Sequence, residues 1–305
     1  MTKTPVSLPK TGPETGQLSI SPAEFQNIRK LAYDRFGLNL LPGKEGLVIA
    51  RLSRLLRGHG FTTVRQYHSH LLSDRTGEAL IQLIDALTTN HTFFLREPAH
   101  FDFLAKAATS EWKNAPQLRL WCCAASTGEE PYGLVMTLLD AGKAAGCRWT
   151  NHISLLATDI STRVLAKAEE GTYDVERCAA VPPHWWQSYL TRRDGQAKDG
   201  QVKHGQAKDG KVTVRAEVRR MVKFSRLNLI EHFNPGMFQT IFCRNVMIYF
   251  DRPTQQDIVS RLVKCLEPGG YLFIGHSESL TGYNHNLQYV RPAVYRLPAR
   301  GSHRK

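Results

Sequence analysis

The chain has 305 residues, 42% of them hydrophobic and 22% charged, so it is long and apolar enough for one large domain or two ordinary ones. No apolar run approaches the ~18 residues that a membrane-spanning helix needs. The first residues, MTKTPVSLPKTGPETG, hold no apolar segment after their lysines, which argues against a signal peptide.

The net charge of +13 is informative about partners. It favours an acidic macromolecule or surface, such as nucleic acid, anionic lipid or an acidic protein, although a generally basic, solvated surface is the alternative. The six cysteines show no C-x-x-C spacing, and those in apolar strand patterns are typical of small core residues. We therefore predict no disulfide, no metal site and a location in the reducing cytoplasm.

The N-terminal part of the chain is predicted to be helical. Ser21-Pro22-Ala23-Glu24 is typical of a helix start, with Ser as the N-cap, and Phe36-Gly37 ends that helix. Three more helical patterns follow, near 44–58, 64–72 and 76–88. We expect residues 19–88 to form a small all-helical domain that follows a disordered tail over residues 1–18.

From residue 118 onward, apolar strand patterns alternate with helical ones. The strands are predicted near 118–123, 153–158, 239–244 and 270–275, and the helices near 130–142, 161–170 and 253–267. This alternation indicates an α/β fold with a parallel sheet and right-handed crossovers. We expect it to occupy residues 89–298, with a short tail over 299–305.

Residues 173–225 break this rhythm. They end in VTVRAEVRRMVKF, which alternates in the manner of antiparallel strand, so we predict a small antiparallel β subdomain inserted into the main fold. Within it, GQAKDG occurs at 195–200 and again at 205–210, a composition that favours an exposed loop between two strands.

The stretch LRLWCCAASTGEEPY, residues 118–132, predicts a strand, a tight turn at Ser126-Thr127-Gly128 and a helix N-terminus. Open α/β sheets bind ligands at this place, and Asp159, at the end of the next strand, is where they hold ribose hydroxyls. This turn has only one glycine, whereas a dinucleotide-binding turn has three that let a pyrophosphate approach. Glu129 and Glu130 would also repel a diphosphate. A nucleoside with a positive charge would be attracted, which points to S-adenosylmethionine and a methyltransferase.

With these elements placed, the chain resembles the chemotaxis receptor methyltransferases (the CheR family) over roughly residues 20–297. The resemblance rests on ordered stretches: ALTTNHTFFLRE at 86–97, AASTGEEPY at 124–132, ATDIS at 157–161 with AEEGTY at 168–173, SRLNL at 225–229, IFCRNVMIYFD at 241–251 and LEPGGYLFIGHSESL at 266–280. It implies a Rossmann-like class I methyltransferase domain behind an N-terminal all-helical domain. The implied reaction transfers methyl from S-adenosylmethionine to receptor glutamates, which gives γ-glutamyl methyl esters and S-adenosylhomocysteine.

The resemblance also implies site residues. The cofactor-binding set is Asn90, Thr92, Arg96, Glu130, Asp159, Asn228, Leu229, Asn245 and Val246, and the catalytic candidates are Arg96 and Tyr249. Family members commonly have one small residue and then Phe-Phe-Arg after the threonine, whereas Phe93-Phe94-Leu95 precedes Arg96 here. That shift leaves open which aromatic ring borders the cofactor. For Asn90, Thr92, Asp159, Asn245 and Tyr249 the alternative is a role as cap, turn or core residue.

The second helical pattern carries basic side chains along one side, at Lys44, Arg51, Arg54 and Arg57. The resemblance implies that this helix docks on the cytoplasmic helical domain of a methyl-accepting chemotaxis receptor. The alternative is a solvated basic face on a core helix. On this interpretation the chain is a monomer that binds no nucleic acid and meets the membrane only through receptors.

Two other functions remain open. The high positive charge and the sheet pattern also suit a nucleic-acid methyltransferase, although Arg244-Asn245-Val246-Met247 stands where amino-methylating enzymes usually carry Asn- or Asp-Pro-Pro-aromatic. A non-catalytic module that senses S-adenosylmethionine would bind the cofactor without turnover.

Overall fold

The computed structural model describes residues 18–192 and 210–299. The predicted tails and the two GQAKDG copies lie almost entirely outside this range, as do their lysines. The chain divides into two compact units. Of the described residues, 18–30 and Leu41–Leu87 form one unit, while Leu31–Leu40 form the other unit together with 88–192 and 210–299.

Between residues 18 and 88 the structure has four α-helices: α1 Pro22–Phe36, α2 Glu45–Gly58, α3 Val64–Ser73 and α4 Glu78–Leu87. The division between the units falls within α1. The predicted start of α1 is confirmed, because the Ser21 backbone N–H donates to Glu24 Oε2 and the Glu24 N–H donates to Ser21 Oγ. α3 begins with the same reciprocal arrangement between Thr63 and Gln66.

The C-terminal unit contains six more helices among the residues described: α5 Pro98–Glu111, α6 Glu129–Ala145, α7 Thr162–Glu170, α8 Pro183–Tyr189, α9 Ala216–Arg219 and α10 Arg252–Lys264. The sequence patterns did not predict α5. It starts directly after Glu97, which adopts a left-handed backbone conformation, and it buries Phe101, Leu104 and Ala108 on one side. Within the described part of the chain, no helix combines the length and apolarity that crossing a membrane requires.

Within the described ranges, the main sheet has seven strands in the order β6-β2-β1-β7-β8-β10-β9. Their bounds are β1 Leu118–Cys123, β2 Ile153–Asp159, β6 Val222–Arg226, β7 Phe238–Cys243, β8 Leu266–Phe273, β9 Gln288–Arg291 and β10 Val294–Arg296. The first five strands of that order are parallel, and β10 and β9 are antiparallel additions. The chain order reverses beside β1, whose neighbours are β2 and β7, and a ligand crevice is expected at the carboxyl ends there.

Both faces of β1 are covered by apolar side chains. Leu118, Leu120 and Cys122 belong to the core on one side of the sheet, whereas Trp121 and Cys123 belong to the core on the other side. This explains the continuous apolar run in β1, since strands buried on both faces do not alternate. All six cysteines are buried free thiols.

A second sheet is antiparallel, with β3 Thr172–Asp174, β4 Leu190–Arg192 and β5 Lys211–Val214 in the order β3-β5-β4. The predicted small antiparallel subdomain is therefore confirmed, but the prediction for its last stretch is wrong. β6 pairs with β2 in parallel and forms the edge of the main sheet. An edge strand buries one face whichever way it pairs, so its alternating sequence does not reveal its direction.

Candidate functional site

The turn after β1 has a strained and tightly packed backbone. Ala124 and Ser126 have φ angles of 55° and 50°, and Gly128, just before α6, has φ 96°. A Cβ atom on Gly128 would lie 2.7 Å from Tyr173 Oη and 2.9 Å from the Ala168 side chain. Only glycine fits this position, and left-handed residues of other types are typical of ligand sites.

Asp159 ties the end of β2 to this turn. Its carboxylate accepts hydrogen bonds from the backbone N–H of Ser126 at 2.9 Å and of Ser161 at 3.0 Å, and its side chain is buried. The alternative role of Asp159 as the N-cap of α7 is not observed, because Ser161 Oγ accepts from the Val164 N–H at that helix start. The carboxylate instead stands between two strand ends.

The adjacent acids of α6 have different surroundings. Glu129 is fully buried, accepts from Thr127 Oγ1 at 2.6 Å and lies 3.0 Å from Arg177 Nη2. Burial raises the pKa of Glu129, although the Thr127 hydrogen bond and Arg177 act in the opposite direction. Arg177 also donates to the Thr92 carbonyl at 3.0 Å. Through Arg177, Glu129 therefore holds the segment around Thr92 in place. The Glu130 side chain instead points toward the end of β7.

At that end the buried side chain of Arg244 lies between two carboxylates. Its Nη1 is 2.8 Å from Glu130 Oε2, its Nη2 is 3.0 Å from Glu97 Oε2, and Nη2 also donates to the Arg96 carbonyl. One positive group thus faces two negative ones, which leaves net negative charge. Arg244 and Glu97 were not among the predicted site residues, although an arginine that ends an apolar strand run is itself a signal of a buried charge with partners.

The segment that precedes α5 holds three predicted site residues. The Asn90 carbonyl accepts from Ser126 Oγ at 3.2 Å, Thr92 is buried, and half-buried Arg96 donates to the His91 carbonyl at 3.2 Å. Leu95 and Glu97 on either side of Arg96 both have φ 59°. The segment is thus bent sharply around Arg96.

The two phenylalanines of this segment differ in burial. Phe94 is fully buried and packs edge-on against Tyr173, with ring centroids 5.1 Å apart, whereas Phe93 is 39% exposed. Of the two rings, Phe93 is therefore the one that has solvent-accessible surface to offer to a ligand.

The turn after β7 carries Asn245, Val246 and Tyr249. Asn245 has φ 57°, and its backbone N–H donates to Glu278. The Tyr249 hydroxyl accepts from the Thr89 N–H at 3.0 Å and lies 3.3 Å from the Thr89 carbonyl, to which it donates. This turn is therefore joined to the segment that contains Asn90, Thr92 and Arg96.

Asn228 and Leu229 lie in the turn after β6. The buried Asn228 amide donates to the Arg35 carbonyl at 2.9 Å and to Glu231 at 3.1 Å, and its oxygen accepts from the Ile230 N–H. Leu229 belongs to the core beside β7. These contacts hold the turn itself, and none of them joins another predicted site residue.

The four predicted docking residues are on α2 or directly before it. Lys44, Arg54 and Arg57 are exposed, whereas Arg51 is half-buried and donates to the Leu87 carbonyl at the end of α4. Arg51 therefore contributes to the packing of α2 with α4, and the exposed basic surface consists of the other three.

Glu97, His100 and His276 form a cluster whose potential ligand atoms lie within 4.8 Å of one another. Burial and Arg244 lower the pKa of His100 to about 4. The guanidinium of Arg244 is 3.0 Å from Glu97 Oε2 and would repel a cation there. We assign no metal to this cluster.

The backbone N–H of His276 donates to Glu97 Oε1, which links the segment after β8 to the start of α5.

The carboxylates at these strand ends suit the positively charged nucleoside that the sequence predicts. Asp159 presents a carboxylate beside the backbone of the β1 turn, and the Glu97–Arg244–Glu130 group retains net negative charge. Both features attract ammonium and sulfonium groups and disfavour a diphosphate.

Comparison with known proteins agrees with this arrangement. Residues 23–88 match the family described as CheR methyltransferase, all-alpha domain, and residues 90–295 match CheR methyltransferase, SAM binding domain. The chain is 40% identical to the chemotaxis protein methyltransferases of Salmonella typhimurium and of Escherichia coli K12, in each case over 93% of this chain and 93% of the relative. It is 37% identical to chemotaxis protein methyltransferase 2 of Pseudomonas aeruginosa, over 89% and 92%.

Among solved structures, a glycopeptide N-methyltransferase complexed with sinefungin is 17% identical to this chain, with a TM-score of 0.30 over 57% of this chain and 48% of that one. That likeness is too low to carry an argument. The two family matches, by contrast, span most of the chain in the expected order. This chain therefore belongs to the CheR family of S-adenosylmethionine-dependent methyltransferases.

Proposed function

We propose that this chain methylates glutamate side chains in the cytoplasmic helical domains of chemoreceptors, forming γ-glutamyl methyl esters and S-adenosylhomocysteine. The observation that carries the proposal is the net negative group made by Arg244 with Glu97 and Glu130, which stands at the strand ends of a CheR-family chain. The relatives named above as chemotaxis protein methyltransferases support the receptor as the acceptor.

The residues proposed to hold S-adenosylmethionine follow from their places in the site. Glu130, in the first turn of the helix that follows β1, is proposed to hold its amino group, and Asp159, the last residue of β2, is proposed to hold its ribose. Arg96, with Asn90 and Thr92, holds the methionine portion. Val246 and Asn245 form the opposite wall, and the backbone around Asn228 and Leu229 borders the adenine. When bound, the cofactor supplies an electrophilic methyl carbon on a positively charged sulfur.

A glutamate acceptor needs no general base. Its carboxylate has an ordinary pKa near ~4.3, so at neutral pH it is already an ionised nucleophile. The tasks left to the protein are alignment of the acceptor and removal of water from it, and alignment of this kind can lower a barrier by ~7–11 kcal/mol in favourable cases. Arg96 is proposed to orient the acceptor carboxylate or the methionine portion, and Tyr249 to fix the geometry around the methyl group.

The docking surface is proposed to be the exposed basic side of α2. Lys44, Arg54 and Arg57 present three positive charges to solvent, and a receptor region rich in glutamate is their electrostatic complement. Arg51 supports this surface by its bond to the Leu87 carbonyl rather than by presenting its own charge fully. The chain is proposed to act as a cytoplasmic monomer that reaches the membrane only through the receptor.

The experiment that tests the proposal is transfer of labelled methyl from S-adenosylmethionine to receptor-containing membranes, followed by mild base. We expect the label to be released as volatile methanol, because a carboxyl methyl ester hydrolyses under these conditions. Membranes without receptor, and membranes with receptor glutamates replaced by alanine, are the matched controls and should take up no base-labile label.

Other outcomes would replace the proposal by a specific alternative. Base-stable label on protein would indicate an amine acceptor. Label on added nucleic acid would indicate the nucleic-acid methyltransferase that the net charge of +13 also allows. Cofactor binding without transfer to any acceptor would indicate a sensing module.

A further inference from the structure

A single carboxylate, that of Glu278, joins the ends of β7 and β8. Its Oε2 accepts hydrogen bonds from the backbone N–H of Gly275 at 2.6 Å and of Asn245 at 2.9 Å, and its Oε1 accepts from the N–H of Met247 at 2.9 Å. Burial raises the pKa of Glu278, while these backbone donors act in the opposite direction. Glu278 thus satisfies backbone groups that the irregular segments after β7 and β8 leave without helix or sheet partners.

Gly275 allows this close approach. A Cβ atom there would lie 2.4 Å from the Asn245 side-chain nitrogen and 2.9 Å from Glu278 Oε2. The glycine therefore lets the Asn245 side chain and the Glu278 carboxylate pack directly on the backbone at the end of β8. The contact is specific to this pair of strand ends, and it fixes Asn245 in its left-handed conformation at φ 57°.

Glu278 binds the backbone of Asn245 and Met247, and the turn that contains them also carries proposed site residues. Asn245 and Val246 are in the proposed cofactor wall, and the Tyr249 N–H donates to the Val246 carbonyl at 3.2 Å. A pocket of about 320 Å³, lined by Met247, Ile248 and Glu278 among others, adjoins the turn. If the carboxylate were removed, the turn would have room to shift, and Tyr249 would shift with it.

We propose that Glu278 is a positioning residue for methyl transfer, which holds the Asn245–Tyr249 turn so that its residues meet the cofactor and the acceptor in the correct geometry. This inference rests on the proposed function for its catalytic part. The hydrogen bonds to the Glu278 carboxylate given above come from backbone N–H groups, so it acts through Asn245, Val246 and Tyr249.

The test compares Glu278→Ala and Glu278→Gln with Glu267→Gln. The alanine variant loses all three backbone bonds. The glutamine variant keeps one oxygen, but sets its amide N–H₂ against a backbone N–H. Glu267 is the control because it is a carboxylate at the opposite end of β8 that accepts from Gln239 at 3.1 Å. Each variant is measured for the dissociation constant of S-adenosylhomocysteine by calorimetry, for kcat and KM of methyl transfer, and for Tm.

We expect Glu278→Ala to lower kcat/KM by ~10²-fold, since a displacement of about 1 Å in a positioned group costs that much. The S-adenosylhomocysteine dissociation constant should rise and kcat should fall, both at a temperature far below Tm. Glu278→Gln should show the same changes to a smaller extent, and Glu267→Gln should behave as the unchanged chain does.

A purely structural role would lower Tm and leave the dissociation constant and kcat of the folded protein unchanged, and that result would overturn the inference. Equal losses in Glu267→Gln would overturn it as well. If Glu278→Ala does not fold, Glu278→Gln decides by the same measurements. If the unchanged chain transfers no methyl to receptors, the proposed function fails, but the calorimetric comparison still shows whether Glu278 positions the cofactor wall.

Discussion

Arg244 Nη1 lies 2.8 Å from Glu130 Oε2, which joins the carboxyl end of β7 to the first turn of α6 through a buried ion pair. The same guanidinium is 3.0 Å from Glu97 and donates to the Arg96 carbonyl. It therefore also fixes the sharply bent segment that presents Arg96. One arginine between two carboxylates leaves the site with net negative charge. The same arginine joins the end of β7, the start of α6 and the segment before α5.

The first prediction concerns Arg244. We expect Arg244→Ala to lower the free energy of unfolding by ~3–5 kcal/mol, because it leaves two largely buried carboxylates without their positive partner. Urea denaturation at neutral pH measures this. Arg296→Ala is the control, since it removes a more exposed ion pair with Glu111 and should cost about 1 kcal/mol or less. A loss no greater than that of the control would mean that Arg244 is dispensable for holding the site.

The second prediction concerns Arg96. We expect Arg96→Ala to lower kcat/KM by ~10²-fold with little change in Tm, because the half-buried Arg96 side chain contributes one hydrogen bond, to the His91 carbonyl, within the part of the chain that the structure describes. Steady-state methylation and thermal unfolding measure the two effects. Arg226→Ala, an exposed arginine at the end of β6, should leave both quantities unchanged. Near-normal turnover in Arg96→Ala would remove Arg96 from the proposed machinery.

The third prediction concerns docking. We expect the double variant Arg54→Glu, Arg57→Glu to weaken receptor methylation and to reduce its sensitivity to salt, because exposed charges steer association and are screened by ions. Binding of S-adenosylhomocysteine should not change. Lys264→Glu, which reverses an exposed charge on α10, serves as the control.

Arg51 is a poor choice for this experiment, since reversing its charge would also break the bond to the Leu87 carbonyl. Unchanged methylation by the Arg54, Arg57 variant over a range of salt concentrations would show that α2 is not the docking surface.

The fourth prediction concerns pH and His100. This buried histidine faces Glu97, Arg244, His276 and Arg291, and its pKa is lowered from 6.5 to about 4, chiefly by burial. The unfolded chain binds a proton on this residue below about pH 6.5, whereas the folded chain does not bind it until about pH 4. Titration of His100 therefore does not affect the free energy of unfolding above about pH 6.5, and it lowers that free energy as the pH falls from 6.5 toward 4.

Urea denaturation at pH 7.0 and pH 5.0 measures this contribution, and we expect His100 to account for about 2 kcal/mol of any loss. The variant His100→Gln, which does not titrate, should lose correspondingly less stability over the same interval. An identical pH dependence in His100→Gln and the unchanged chain would contradict the lowered pKa.

Much of the fold was predictable from local pattern. The family resemblance and the α/β fold class with a helical N-terminal domain are confirmed, as is the small antiparallel sheet. The strand β1, the turn at Gly128 and the acid at the end of β2 were located to within a residue, because apolar runs, turn residues and helix caps act over a few neighbouring positions. The helix α5 was missed, since its short apolar pattern follows a bend that has no sequence signal of its own.

Local pattern is enough to say which side chains stand at the strand ends, because periodicity and turn chemistry are properties of adjacent residues. What those side chains contact depends on the assembled fold. It separated the roles of Glu129 and Glu130, which are neighbours in sequence but point to Arg177 and Arg244 from different sides of α6. It also brought Glu278 to Asn245 and set β6 parallel to β2. These relationships join residues that are far apart in the chain, so they depend on how the sheet assembles and not on any local pattern.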